Sequence, residues 1–89
     1  MDGLAIDHIN RLLFITDTGL NQITVLSLRQ TKYNKVIISD DLDQPRAIVA
    51  DPLKGRIYWS DWGSEPRIET AAMDGSDRYI LVNFTTKLA

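Results

Sequence analysis

The chain has 89 residues, of which 44% are hydrophobic and 25% are charged. This length fits one small domain, and this composition is ordinary for a folded chain and argues against disorder. Ten basic and twelve acidic residues give a net charge of −2, whereas a protein that binds nucleic acid through its phosphates usually has a clear basic excess. We therefore expect no nucleic acid among its partners.

The chain contains no cysteine, which excludes a disulfide framework and a zinc site with thiolate ligands. No stretch approaches the ~18 consecutive apolar residues that a membrane-spanning helix needs. The N-terminal residues lack the basic segment and the long apolar segment of a signal peptide. We expect no direct membrane insertion by this segment, and we expect any targeting signal of a secreted parent protein to lie elsewhere.

Four short strands are predicted in the first half of the chain, at residues 4–6, 12–16, 22–28 and 35–38. Each segment combines β-branched or aromatic residues and lies between turn signals. No window shows sustained helical periodicity. The single histidine, His8, falls in the turn between the first two strands, where we expect it to be exposed.

Four more strands are predicted in the second half, at residues 47–50, 56–60, 67–73 and 78–82. The segment Asp51-Pro52-Leu53-Lys54-Gly55 has the composition of a turn, because proline presets φ and glycine allows a positive φ. Asp74-Gly75 is a common hairpin dipeptide and predicts the turn between the last two strands.

The two halves of the chain repeat each other. Phe14-Ile15-Thr16-Asp17 matches Tyr58-Trp59-Ser60-Asp61 at an offset of 44 residues. The offset is 45 between Ile23 and Ile68, so one residue is inserted before this point, and it returns to 44 in the last strand. Four-stranded units that repeat every ~40–50 residues are typical of a β-propeller.

Several repeat segments carry a resemblance to a known family. Tyr58-Trp59-Ser60-Asp61 is close to the Tyr-Trp-Thr-Asp (YWTD) repeat, with Asp61-Trp62-Gly63 closing the motif. The flanks keep register, from Asp2-Gly3-Leu4-Ala5-Ile6-Asp7 to Leu42-Asp43-Gln44-Pro45-Arg46-Ala47-Ile48 and Met73-Asp74-Gly75. Together they resemble consecutive blades of the six-bladed YWTD propeller of low-density-lipoprotein-receptor-related proteins, most closely the Wnt co-receptor and agrin-receptor branch.

The resemblance implies an all-β fold of two four-stranded antiparallel blades, at residues 1–44 and 45–89, from a six-bladed ring. It also implies the extracellular portion of a plasma-membrane receptor, which binds secreted protein ligands through the loop face of the propeller. Such a module, whether Wnt co-receptor-like or lipoprotein-receptor-like, is not an enzyme and needs no cofactor. Neighbouring blades would be its other partners.

We expect a structural role for the motif residues. They are Phe14, Asp17, Arg46, Tyr58, Trp59, Asp61 and Gly63. The carboxylate of Asp61 follows a strand, where it can accept hydrogen bonds from the N–H groups of an adjacent turn. Arg46 and Arg67 both follow prolines, and a planar guanidinium there can bridge two carboxylates such as Asp43 and Asp61.

The candidate ligand face combines two loops that a propeller places at the same end of its blades. Its residues are Asp40, Asp41, Asp43, Trp62 and Glu65. An aromatic anchor with charged neighbours is typical of protein-binding surfaces. The alternative is a solvated acidic loop beside a tryptophan packed under its own turn. The acidic loop lacks the order of a calcium-binding EF-hand, so we expect no metal.

One candidate modification site lies near the end of the chain. Asn83-Phe84-Thr85 fits the acceptor triplet for N-glycosylation, and the extracellular setting supports glycosylation of Asn83.

Two alternative functions remain from the sequence. Two isolated blades would expose apolar faces on both sides, and three copies of the chain as a homo-oligomer would close a six-bladed ring. A metal-dependent propeller lactonase would need inward-facing metal ligands from several blades, and the sequence shows no such set. We favour a portion of a longer ring, because Ile15 stands where tryptophan is usual and makes the first blade a specialised copy.

Overall fold

The computed structural model describes residues 3–29 and 34–84, and it confirms the all-β class. The described residues form eight strands and no helix. The strands are β1 (Gly3–Asp7), β2 (Leu12–Asp17), β3 (Gln22–Ser27), β4 (Asn34–Ile38), β5 (Pro45–Asp51), β6 (Arg56–Asp61), β7 (Arg67–Ala72) and β8 (Tyr79–Asn83).

The strands form two antiparallel four-stranded sheets. Sheet 1 has the order β1-β2-β3-β4 and sheet 2 the order β5-β6-β7-β8, so within each sheet consecutive strands are paired. The register shifts after Ile23 in sheet 1 and after Ile68 in sheet 2, the two positions related by the offset of 45. The two sheets therefore share their strand order and the position of the register shift between the third and fourth strands.

The observed strands differ from the predicted ones mainly at their ends. β5 begins at Pro45, before the predicted residue 47, and its register with β6 shifts between Pro45 and Ile48. A proline fits at the first position of a strand because it has no N–H to donate. Gly55 and Gly75 have φ angles of +66° and +91°, as the turn chemistry predicted, and His8 is exposed.

One hydrophobic core joins the two sheets. Burial alternates along β2 and β6, as expected when successive side chains point to opposite faces. We call the two faces that enclose this core the inner faces. That of sheet 1 carries Ala5, Phe14, Thr16, Ile23, Val25 and Ile38, and that of sheet 2 carries Ile48, Ile57, Trp59, Glu69 and Ala71.

The two sheets approach most closely where β1 and β2 meet β5. The Thr16 hydroxyl donates a hydrogen bond of 2.6 Å to the carbonyl oxygen of Arg46. A Cβ atom on Gly3 would lie 2.2 Å from the same carbonyl oxygen, which is closer than atoms can pack. Only glycine allows this approach, so Gly3 and Thr16 together fix how sheet 1 sits on sheet 2.

Candidate protein-binding site

A groove of about 810 Å³ opens between the two sheets. β4 of sheet 1 and β8 of sheet 2 supply apolar walls, with Ile37 and Ile38 on one side and Tyr79 and Ile80 on the other. The charged lining residues are Asp40, Asp41, Asp43, Glu65, Glu69, Arg67 and Arg78. Five carboxylates against two guanidinium groups give the groove a formal charge of −3.

The structure brings four of the five candidate ligand-face residues to this groove. Asp40, Asp41, Asp43 and Glu65 line it, and all four are exposed. Trp62 does not line the groove. The residue is 53% exposed, and its ring stacks on the ring of Phe84, with centroids 5.9 Å apart and planes 8° from parallel.

The Asp61 carboxylate organises the loops beside the groove. It is fully buried at the end of β6, and its Oδ2 accepts a hydrogen bond from the N–H of Asp43 at 2.9 Å. Its Oδ1 accepts from the N–H groups of Gln44 at 3.0 Å and Gly63 at 2.9 Å. One side chain therefore ties the loop that enters β5 to the loop that leaves β6.

Asp43 and Gly63 are packed against each other within this arrangement. The Oδ2 atom of Asp43 accepts a hydrogen bond from the N–H of Ser64 at 2.8 Å. A Cβ atom on Gly63 would lie 2.3 Å from the side chain of Asp43, so no larger residue fits there without displacing that carboxylate. Asp43 thus holds the loop together while its residue remains exposed.

A buried ion network supports the floor of the groove. The side chain of Glu69 is 5% exposed and pairs with Arg67 Nε at 2.6 Å and Arg78 Nε at 2.8 Å. Both guanidinium groups also donate to the carbonyl oxygen of Asp41, and Arg78 donates to that of Asp40 at 2.8 Å. The network therefore fixes the backbone of the acidic loop.

The structure corrects the expected role of Arg46. Its side chain is exposed and makes no ion pair with any residue among 3–29 and 34–84; only its carbonyl oxygen makes a contact with sheet 1. Of the two arginines that follow prolines, Arg67 is the one that joins two carboxylates, with Glu69 at 2.6 Å and Asp61 at 3.6 Å. Arg46 follows the buried Pro45 and points to the exposed side of β5, whereas the side chain of Arg67, the first residue of β7, is only 10% exposed.

The other motif residues have distinct positions. Phe14 and Trp59 are buried in the shared core, while Tyr58 is half-buried on the opposite face of β6. Asp17 is less engaged than Asp61, since its Oδ1 accepts one hydrogen bond of 3.2 Å, from the N–H of Leu20.

Sequence reasoning missed Glu69, Arg78 and Phe84 as parts of this site. Arg67 and Glu69 lie two residues apart on a strand and so share a face, a signal that could have indicated their ion pair. Arg78 gives no such signal, because it reaches Glu69 from across the turn at Asp74-Gly75. Phe84 drew attention only as the middle residue of the glycosylation triplet.

The pKa of Asp61 lies below its usual value. Burial opposes ionisation, but the N–H groups of Asp43, Gln44 and Gly63, with the nearby Arg67, more than offset it. Burial likewise opposes ionisation of Asp7, and hydrogen bonds from Asn10 and Ile9 lower its pKa below the usual value.

Two features are absent from the part of the chain that the structure describes. No group of three or more His, Cys, Asp or Glu residues there is arranged to hold a metal ion. No helix there is long and apolar enough to cross a membrane.

Asp61→Asn is expected to lower the free energy of unfolding at neutral pH by about 1.5–3 kcal/mol, because two hydrogen-bonded loops lose their charged acceptor. Urea denaturation followed by circular dichroism measures this change. Asp17→Asn is the matched control at the equivalent repeat position, and it should cost less because Asp17 accepts one long hydrogen bond. Equal costs for the two variants would contradict the role given to Asp61.

The wild type and Asp61→Asn together also test how the free energy of unfolding depends on pH. The folded pKa of Asp61 is depressed, so its contribution is present above the ordinary value of 3.8 and is lost as pH falls through the folded value. The wild type should therefore lose more stability than Asp61→Asn between pH 5 and pH 2. Parallel stability curves would show that Asp61 carries no such contribution.

Glu69→Gln is expected to lower the free energy of unfolding by about 3–5 kcal/mol, because it removes the closest carboxylate partner of two partly buried guanidinium groups. Glu65→Gln is the control. Arg67 contacts only the backbone carbonyl of Glu65, and an exposed side chain should change stability by less than about 0.5 kcal/mol. Chemical denaturation of both variants measures their free energies of unfolding. A Glu69→Gln protein as stable as the wild type would refute the stabilising role of the buried ion network.

Comparison with known proteins agrees with this geometry. Residues 55–83 match the family model of the low-density lipoprotein receptor repeat class B. The chain is 40% identical over 82 residues to the human low-density lipoprotein receptor-related protein 5-like protein, covering 92% of this chain and 32% of the relative. It is 51% identical over 65 residues to the mouse low-density lipoprotein receptor-related protein 5, covering 73% of this chain and 4% of that protein.

A solved structure shares the fold. A chain in the crystal structure of a nidogen/laminin complex superimposes with a TM-score of 0.87 and 40% identity, over 97% of this chain and 33% of the other. The chain thus spans about a third of the human relative and of the solved chain. Its class B repeat, its two repeated four-stranded sheets and these relatives identify the chain as a YWTD-type β-propeller portion that is similar to the low-density lipoprotein receptor-related proteins.

Proposed function

We propose that the chain is a non-catalytic interaction module in the extracellular portion of a plasma-membrane receptor, and that it binds a secreted protein ligand through its loop face. The names of its relatives, which are receptor-related proteins, support this proposal. The chain spans a minor part of those relatives, so the proposal concerns a contribution to ligand binding by two blades, which we place at residues 1–44 and 45–89.

The acidic groove is the observation that carries the proposal. Five carboxylates and two arginines line it, and the arginines are engaged with Glu69 and with backbone carbonyls. Asp41 and Glu65 are exposed at its edge, and Asp40 has a side chain that is 83% exposed. A surface of this charge favours a ligand with a basic segment, both by attraction over distance and by selection against acidic partners.

The exposed aromatic pair, Trp62 after β6 and Phe84 after β8, offers an anchor beside the acidic loop. Trp62 is 53% exposed and Phe84 is 50% exposed, although the two rings stack on each other. Trp62 is tied to the acidic loop through the hydrogen bond of 3.0 Å from its N–H to the carbonyl oxygen of Gln44. Large aromatic side chains beside charged groups are the usual anchors of protein interfaces.

The loop is held in position before any ligand arrives. Asp61 fixes the N–H groups of Asp43 and Gln44, and the arginines of the ion network fix the carbonyl oxygens of Asp40 and Asp41. A surface that is already ordered loses less conformational freedom on binding, which favours affinity.

The test begins with a yeast-displayed library of secreted proteins, probed with the fluorescently labelled chain. For each binder, Asp41→Asn combined with Glu65→Gln should weaken binding about tenfold or more, because two exposed negative charges are removed from the groove edge. The affinity should also fall as salt is raised from 50 to 500 mM, since exposed charges are screened.

Asp51→Asn is the control for this test, because Asp51 ends β5 at the opposite end of the sheet from the acidic loop. It should leave affinity unchanged. A screen without binders, or binders that respond equally to Asp51→Asn and to the double variant, would refute the assignment of the ligand face.

We also propose that Asn83 carries an N-linked glycan. It is exposed at the end of β8 and heads the acceptor triplet. When the chain is secreted from a mammalian cell line, mass spectrometry should show a glycan that peptide-N-glycosidase removes and that Asn83→Gln abolishes. A secreted wild-type chain with the mass of the bare polypeptide would contradict this assignment.

A further inference from the structure

β8 has an open edge along the side that faces away from β7. It is the last strand of sheet 2, and within residues 3–29 and 34–84 no strand pairs with this side. Tyr79, Ile80, Leu81 and Val82 are all exposed, each to between 43% and 50%. A strand edge of this kind presents N–H and C=O groups that can pair with another extended chain.

The equivalent edge of sheet 1 has a feature that opposes such pairing. β4 carries the charged Lys35 in its exposed part, and lysine on an edge strand disfavours the addition of a further strand. The four exposed residues of β8, Tyr79 to Val82, include no charge and no proline. The chain therefore protects one of its two outermost strands and leaves the other able to accept a partner.

The open edge of β8 borders the acidic groove. Ile80 lies opposite Glu69 in the register of β7 and β8, and both residues line the groove. Residues directly opposite each other on paired strands have their side chains on the same face of the sheet. A strand added beside β8 would thus direct every second side chain to that face, towards the groove.

The charge of the groove indicates what those side chains should be. Its formal charge is −3, and its two arginines, Arg67 and Arg78, are engaged with Glu69 and with backbone carbonyl oxygens. The side chain of Asp40 is 83% exposed, and Asp41 is exposed while its carbonyl oxygen holds the arginines. Lysine or arginine side chains on an added strand would meet these carboxylates.

The same charge argues against a second β8 strand as the occupant. Two β8 edges paired with each other would bring together two grooves that each have a formal charge of −3. Like charges placed opposite one another at an interface are unfavourable. A basic segment of a different protein therefore fits the edge better than a copy of this chain.

We propose that an extended segment of a protein partner adds to the four-stranded sheet 2 along β8, with basic side chains at every second position turned towards the groove. The inference rests on the ligand face proposed above and specifies the form of ligand that this face takes. Backbone hydrogen bonds to β8 supply affinity, and the groove selects the pattern of charge. The contact involves residues 79–82 and not Asn83.

The probe is an acetylated hexapeptide in which lysine and threonine alternate, and calorimetric titration measures its binding to the full-length protein that contains residues 1–89. The control peptide has the same composition, with its threonines in one block and its lysines in the next. The alternating peptide should bind about tenfold more tightly or better, because all of its charges fall on one face of the added strand. Equal binding of the two peptides would show attraction without strand addition and would overturn the proposal.

Methylation of the peptide backbone tests the hydrogen bonds themselves. The N–H groups of successive residues in a strand point to opposite edges, so methylating either the lysine amides or the threonine amides removes the donors of one edge only. One of these two isomers should lose about tenfold or more in affinity and the other should keep it, since both retain the same charges. Isomers of equal affinity would contradict strand addition.

Amide hydrogen exchange, followed by mass spectrometry, locates the contact on the protein. When the alternating peptide is bound, exchange should slow about tenfold or more at those amides of residues 79–82 that face away from β7. The amides of β4 are the matched control and should keep their rates, because Lys35 opposes a strand there. Unchanged exchange in β8 despite binding, or equal slowing in β4, would refute the assignment to this edge.

The results also separate this inference from the proposed function. A peptide whose affinity falls with Asp41→Asn combined with Glu65→Gln, but whose two methylated isomers bind alike, would keep the acidic ligand face and overturn the added strand. An alternating peptide that does not bind, when secreted binders still respond to the double variant, would do the same. Failure of the proposed function appears instead as secreted binders that ignore the double variant.

Discussion

The buried carboxylate of Asp61 is the interaction on which the candidate site depends. It lies at the end of β6 and accepts hydrogen bonds from three N–H groups in two different loops. A buried charge without such partners would be costly, so the loops and the carboxylate require one another. The chain segment that links sheet 1 to sheet 2 takes its course from this requirement, and the acidic groove lies along that segment.

The ion network of Arg67, Glu69 and Arg78 extends this constraint from the N–H groups of the linking segment to its carbonyl oxygens. With both kinds of backbone group engaged, the loop has few alternative conformations, and its carboxylates are left to face solvent. A stable scaffold and an exposed, charged edge are thus produced by the same set of contacts. This arrangement is compatible with the ligand face proposed above.

The strands and turns were predictable because each depends on local chemistry that recurs in both halves of the chain. Phe14 and Trp59 could be assigned to a core from the repeat, and Asp61 to a turn from its place after a strand. The ion pair between Glu69 and Arg78 could not be derived from the sequence. The register shift after Ile68 sets which residues near β8 come close to Glu69, and the sequence does not reveal that shift. Choosing Arg67 over Arg46 as the arginine that bridges two carboxylates required knowing how buried each side chain is. A preceding proline, which both arginines have, does not reveal this.

The close contact between Gly3 and the carbonyl oxygen of Arg46 has a consequence for symmetry. The repeat places Ala47 where Gly3 stands in the first sheet, and a Cβ atom excludes so short an approach. A blade packed on the far side of sheet 2 could not approach Ala47 as closely as Arg46 approaches Gly3. The two neighbours of sheet 2 would then lie at unequal distances from it, so the spacing of blades need not be uniform even where their strand order is the same.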